Sequence, residues 1–110
     1  MATGETVTGS NQENASFPAG ICAERTLLST AASLYPGQPI TALAITYRPE
    51  SGVGAAPITP CGLCRQSLAE YQARTGQPIR LILGGEEGPV WVIEDAGSLL
   101  PLAFGGGDLR

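Results

Sequence analysis

From Ile21 the apolar positions Ile21, Leu28, Ala31, Ala32 and Tyr35 follow helical spacing until Pro36-Gly37 stops the run. The pattern predicts a helix that starts at Cys22. Gly62 to Arg74 reads as a second helix, with Cys64, Leu68 and Tyr71 one face apart at i, i+4 and i+7 and Thr75-Gly76 as its stop. Cys64 is therefore expected to point inward. Between them Ile40 to Tyr47 is apolar at nearly every position and predicts a strand buried on both faces. Ile79 to Leu83 and Val90 to Ile93 predict two further strands around the Gly84-Gly85-Glu86-Glu87-Gly88 turn. Glu5 to Asn11 alternates like a strand after a Thr3-Gly4 turn, and Ser98 to Phe104 reads as a short terminal helix or turn before a Gly-rich tail. Strands alternating with helices imply an α/β fold, a mixed sheet with helices on its faces, in which two helix N-termini can meet above the sheet.

The chain has 110 residues, 43% of them hydrophobic, without internal repeat, linker or apolar run long enough to cross a bilayer, so residues 1–110 read as one domain with no membrane partner. Six arginines, no lysine and no histidine against ten acidic residues leave a net charge of -4. That balance argues against a nucleic acid polymer as partner and is easier to reconcile with a small neutral or cationic ligand. No secretory or transit segment is recognisable at the N-terminus, which favours the cytoplasm, where thiols stay reduced.

All three cysteines lie in two short segments, Cys22-Ala23-Glu24 and Pro60-Cys61-Gly62-Leu63-Cys64. An odd thiol count fits metal ligation better than a disulfide framework. Taken alone, Cys61-x-x-Cys64 could equally be a dithiol redox pair or two small buried residues, and Glu24 an exposed first-turn carboxylate. Together they reproduce the spacing of zinc deaminases, with cysteine in place of the usual histidine. Three thiolates would leave the fourth tetrahedral position of Zn2+ for water, and Glu24 would shuttle the proton. Three thiolates also donate much charge to the metal. Arg25 is placed to temper it by hydrogen bonding to one of them. Upstream, Asn11 and Glu13 share one face of an extended segment and could grip a vicinal diol such as that of a ribose, although Asn11-Gln12-Glu13-Asn14 could also be a plain polar turn.

The blocks Asn11 to Pro18, Ile21 to Thr26, Pro60 to Gln66 and Leu99 to Phe104 together resemble the successive motifs of the small homotetrameric cytidine deaminases. The resemblance implies a three-layer αβα cytidine-deaminase-like fold with a mixed central sheet, and hydrolytic deamination of cytidine and 2'-deoxycytidine to uridine and 2'-deoxyuridine in pyrimidine salvage. It implies Cys22, Cys61 and Cys64 as zinc ligands, Glu24 as proton shuttle, Arg25 tempering the thiolates, and Asn11 and Glu13 on the ribose. It further implies that the Ala23 backbone lies near the amino group of the base, and that Phe104 reaches into a neighbouring subunit of a homotetramer or homodimer to pack on the base. The family ordinarily has a helix and a strand ahead of the Thr3-Gly4 turn, so the chain is expected to be N-terminally truncated. Two alternatives stand beside this reading: an inactive zinc-binding fragment or assembly subunit, and a deaminase of a cytosine-containing antibiotic such as blasticidin S.

Overall fold

The computed structural model describes residues 1–50 and 52–109. Helix α1 spans Ala23–Leu34, strand β1 Ala42–Ile45, helix α2 Gly62–Thr75, strand β2 Arg80–Gly84 and strand β3 Val90–Ile93, with short 3-10 turns at Phe17–Ala19, Ala96–Leu99 and Gly106–Leu109. The sheet is mixed, in the order β1-β2-β3. β1 pairs in parallel with β2 through Leu43 opposite Leu81, and β2 pairs antiparallel with β3 through Leu83 opposite Trp91. A parallel pair needs a long crossover, which α2 supplies, whereas β2 and β3 are joined by the tight acidic turn.

Both helices end where the punctuation predicts. α2 closes on Gly76, whose φ of 69° lies in the left-handed region that glycine enters without steric cost, and its N–H donates to the Gln72 carbonyl. α1 closes at Tyr35, just before Pro36-Gly37. Leu28 and Ala31 of α1 and Leu68 and Tyr71 of α2 enter one core with Leu43, Ile45, Leu81 and Leu83 of the sheet. Leu68, Leu81 and Leu83 are fully buried, each such side chain stabilising the fold by roughly 1.5 to 3 kcal/mol relative to exposure. The Tyr71 hydroxyl keeps a polar partner by donating to the Gln38 carbonyl at 2.9 Å.

Two expectations are corrected. Glu5 to Asn11 forms no strand; the next residue, Gln12, makes an isolated antiparallel bridge to Ile21. Alternation favours an extended backbone, but a ladder also needs a neighbouring strand. β1 is shorter than Ile40 to Tyr47 and is buried on one face only: Leu43 and Ile45 point into the core, while Ala42 and Ala44 are exposed. Both helices pack against that inner face, and no helix covers the opposite one among the described residues. Ser98 to Phe104, expected as a short helix or turn, begins inside the 3-10 turn that ends at Leu99 and continues as an irregular segment.

Candidate metal centre and active site

Cys22 is the N-cap residue of α1 and Cys61 that of α2, both in extended backbone, and Cys64 lies in the first turn of α2. Each helix start directs unpaired N–H groups and partial positive charge at the thiols, which favours thiolate. The three sulfurs lie within 4.8 Å of one another, with Cys22 Sγ 3.9 Å from Cys61 Sγ and Cys61 Sγ 3.4 Å from Cys64 Sγ. Three thiolates around one zinc at about 2.3 Å would stand about 3.8 Å apart, so the cluster fits a single tetrahedral ion with little adjustment.

Burial grades the three ligands. Cys64 is fully buried, Cys22 half-buried and Cys61 exposed. In the metal-free protein burial, followed by the adjacent Glu24 carboxylate, pushes the Cys64 thiol well above its ordinary value. Cys61 moves the opposite way, because the backbone N–H and then the thiol of Cys64 favour its thiolate. Glu24 is half-buried in the first turn of α1. Its side also lines a small cavity of about 110 Å³ with Gly9, Ala23, Leu43 and Ala44. A larger groove of about 400 Å³ lies between residues 5–9 and β1, beyond the thiols.

The loop ahead of α1 is tied to this centre. Gln12 and Ile21 exchange backbone hydrogen bonds of 2.8 and 2.9 Å, closing a loop that holds Glu13 and Phe17 and delivering Cys22 next to Asn11. Asn11 Oδ1 then accepts a hydrogen bond from the Ala23 N–H at 2.7 Å. That contact satisfies one of the free donors at the start of α1 and leaves the NH2 of Asn11 to offer a ligand. Glu13 is exposed. The Arg25 guanidinium donates to the Gly20 carbonyl at 3.3 Å, and its Nε is buried without a partner.

Three positioning contributions escape a local reading of the sequence. Gly9 packs directly on α1: a Cβ there would stand 2.8 Å from the Leu27 nitrogen and 2.9 Å from the Ala23 oxygen. Arg65 binds the Pro60 carbonyl at 2.8 Å, the Thr59 hydroxyl at 3.1 Å and the Leu99 carbonyl at 3.3 Å, bracing the loop that presents Cys61. Gln66 donates to the Phe104 carbonyl at 2.8 Å. Arg65 and Gln66 follow Cys64 directly, and that adjacency was the available signal.

The family profile described as the cytidine and deoxycytidylate deaminase zinc-binding region matches residues 2–77. The chain belongs to the cytidine deaminase family. Among its relatives, a cytidine deaminase of Halalkalibacterium halodurans is 34% identical over 110 residues, covering all of this chain and 76% of the relative. The crystal structure of a cytidine deaminase from Burkholderia pseudomallei superposes with a TM-score of 0.74 at 35% identity, over 93% of this chain and 74% of that one. The α/β fold with a mixed sheet is thus the fold of a zinc-dependent hydrolase family, and Zn2+ is the metal that the three-cysteine cluster of this family member fits.

Proposed function

We propose that the protein hydrolyses cytidine and 2'-deoxycytidine to uridine and 2'-deoxyuridine, releasing ammonia. The observation that carries the reading is the convergence of Cys22, Cys61 and Cys64 at two helix N-termini, with Glu24 in the first turn of the helix that Cys22 caps. Cys22, Cys61 and Cys64 hold the zinc, which when bound supplies Lewis-acid activation of water. Glu24 accepts the proton of the attacking water, delivers it to the ring nitrogen of the cytosine, and then helps protonate the departing ammonia. Overall one water is consumed and one C–N bond is exchanged for a carbonyl.

Substrate placement follows from the same loop. The Asn11 NH2, its oxygen already engaged by Ala23, donates to a ribose hydroxyl, and Glu13 accepts from the neighbouring one. The Ala23 backbone lies at the amino group of the base. Arg25, whose buried Nε lacks a partner, draws charge from the thiolates by turning away from the Gly20 carbonyl. Phe104, 58% exposed, packs on the base in a second subunit of a homotetramer. A reducing cytoplasm suits three free thiols, and pyrimidine salvage suits the product.

The direct test offers the reduced, zinc-loaded protein cytidine, 2'-deoxycytidine, free cytosine and blasticidin S in parallel. Ammonia equimolar with uridine from cytidine and with 2'-deoxyuridine from 2'-deoxycytidine, with little from free cytosine, is the expected result. Ammonia from the antibiotic alone would assign the site to that substrate, and ammonia from none of them would contradict a deaminase.

A further inference from the structure

The segment from Leu99 to Phe104 has almost no attachment of its own. Among the described residues no backbone–backbone hydrogen bond involves residues 101 to 104. Pro101 has no N–H to give, and Leu102 at 96% exposure lacks apolar cover. The segment is nevertheless pinned at both ends to α2: Arg65 donates to the Leu99 carbonyl at 3.3 Å and Gln66 to the Phe104 carbonyl at 2.8 Å. Both donors come from the two positions that follow the zinc-ligand position Cys64. Downstream, Gly105 N–H donates to Asp108 at 2.7 Å, so the tail binds itself and gives Phe104 no second hold on the body.

We infer that Gln66 is a positioning residue for substrate: it fixes the backbone of Phe104 to the metal-ligand helix and so sets where the exposed aromatic ring is presented. The inference rests on the proposed role of Phe104 against the base. One helix turn then specifies both this subunit's zinc position, through Cys61 and Cys64, and, through Gln66, the aromatic wall that Phe104 offers to the neighbouring subunit's site. A shift in one is transmitted to the other through rigid helical backbone. Helix geometry requires that coupling, because residues 64 and 66 are separated by about 3 Å of helix rise.

The chain has two phenylalanines, Phe17 and Phe104, so 4-fluorophenylalanine incorporation yields two fluorine resonances, assignable with Phe17→Leu. Gln66→Met keeps length and helix propensity and removes the donor. The expected result is a shifted, narrowed Phe104 resonance with Phe17 unmoved and zinc content unchanged. The cytidine KM should rise about three- to tenfold, the range set by losing one neutral hydrogen bond, with kcat within about twofold. In a Phe104→Ala background Gln66→Met should then cost nothing further. Gln66→Ala serves as a second variant should the first fold poorly. A Phe104 resonance identical to the parent's, or losses that multiply in the double variant, would overturn the inference. A parent without cytidine turnover defeats the nucleoside reading separately, and the fluorine signal still decides whether Gln66 holds Phe104.

Discussion

Asn11 Oδ1 accepts the Ala23 N–H at 2.7 Å, so the residue proposed to grip the sugar also caps the helix that starts at a zinc ligand. The proposed sugar contact and the start of α1 share one hydrogen bond. Asn11 has two separable chemical halves, an oxygen turned to the helix and an amide NH2 turned away.

Asn11→Asp should therefore separate the two. The carboxylate keeps the acceptor and suits a helix N-terminus, so stability and zinc content should hold, while the lost donor raises the cytidine KM. Asn11→Ala should impair both, with a stability loss of about 1 kcal/mol seen in denaturant melts. Equal stability in Asn11→Ala would mean that the cap contributes nothing.

Gly9→Ala tests how tightly the substrate loop is seated. Its Cβ would meet backbone atoms of α1 at 2.8 and 2.9 Å, which cannot rotate aside. Overpacking of this kind costs about 1 to 3 kcal/mol. The expected result is a lower melting temperature together with a raised KM, as Asn11 is pushed off Ala23. A variant that melts with the parent and binds cytidine equally well would show that the loop approaches α1 more loosely.

Zinc retention should depend on pH with a definite sign. In the metal-free protein burial and Glu24 favour the protonated Cys64 thiol, and binding must expel that proton. Affinity therefore rises with pH, and chelator competition should release zinc more readily as pH falls. The metal-free fold behaves oppositely: a thiol raised in the folded state contributes stability below its ordinary value, lost as pH rises through the folded value. Chelator-stripped protein should thus weaken in alkali while the zinc form does not. Zinc release independent of pH would contradict thiolate ligation.

Much of this was legible in the chain because it is local. The spacing of Cys64, Leu68 and Tyr71 with Thr75-Gly76 gave α2 nearly to the residue, and Val90–Ile93 matches its apolar run. The spacing of three cysteines and a glutamate by itself carries the zinc reading. What escaped depends on neighbours distant in sequence. An apolar run cannot say that Ala42 and Ala44 face away from the core, since that depends on which faces the helices cover. An alternating run such as Glu5 to Asn11 specifies an extended backbone without specifying a partner. Gly9 against Leu27, Arg65 against Leu99 and Gln66 against Phe104 are contacts that closure of the fold creates.

Glu13→Ala separates the nucleoside from other cytosine compounds. Losing the acceptor for a buried sugar hydroxyl should cost cytidine about 1 to 3 kcal/mol in kcat/KM, with zinc content and melting unchanged. Unaltered kinetics would move the ribose site elsewhere.

The central claim is that Glu24 moves protons at a zinc site formed by Cys22, Cys61 and Cys64. The most direct measurement takes parent and Glu24→Gln protein, determines zinc per chain on each sample, and follows conversion of cytidine to uridine on the same material. About one zinc per chain in both, with turnover reduced roughly a hundredfold to ten-thousandfold in Glu24→Gln, is the predicted result. Zinc-loaded Glu24→Gln turning cytidine over within about threefold of the parent would contradict it.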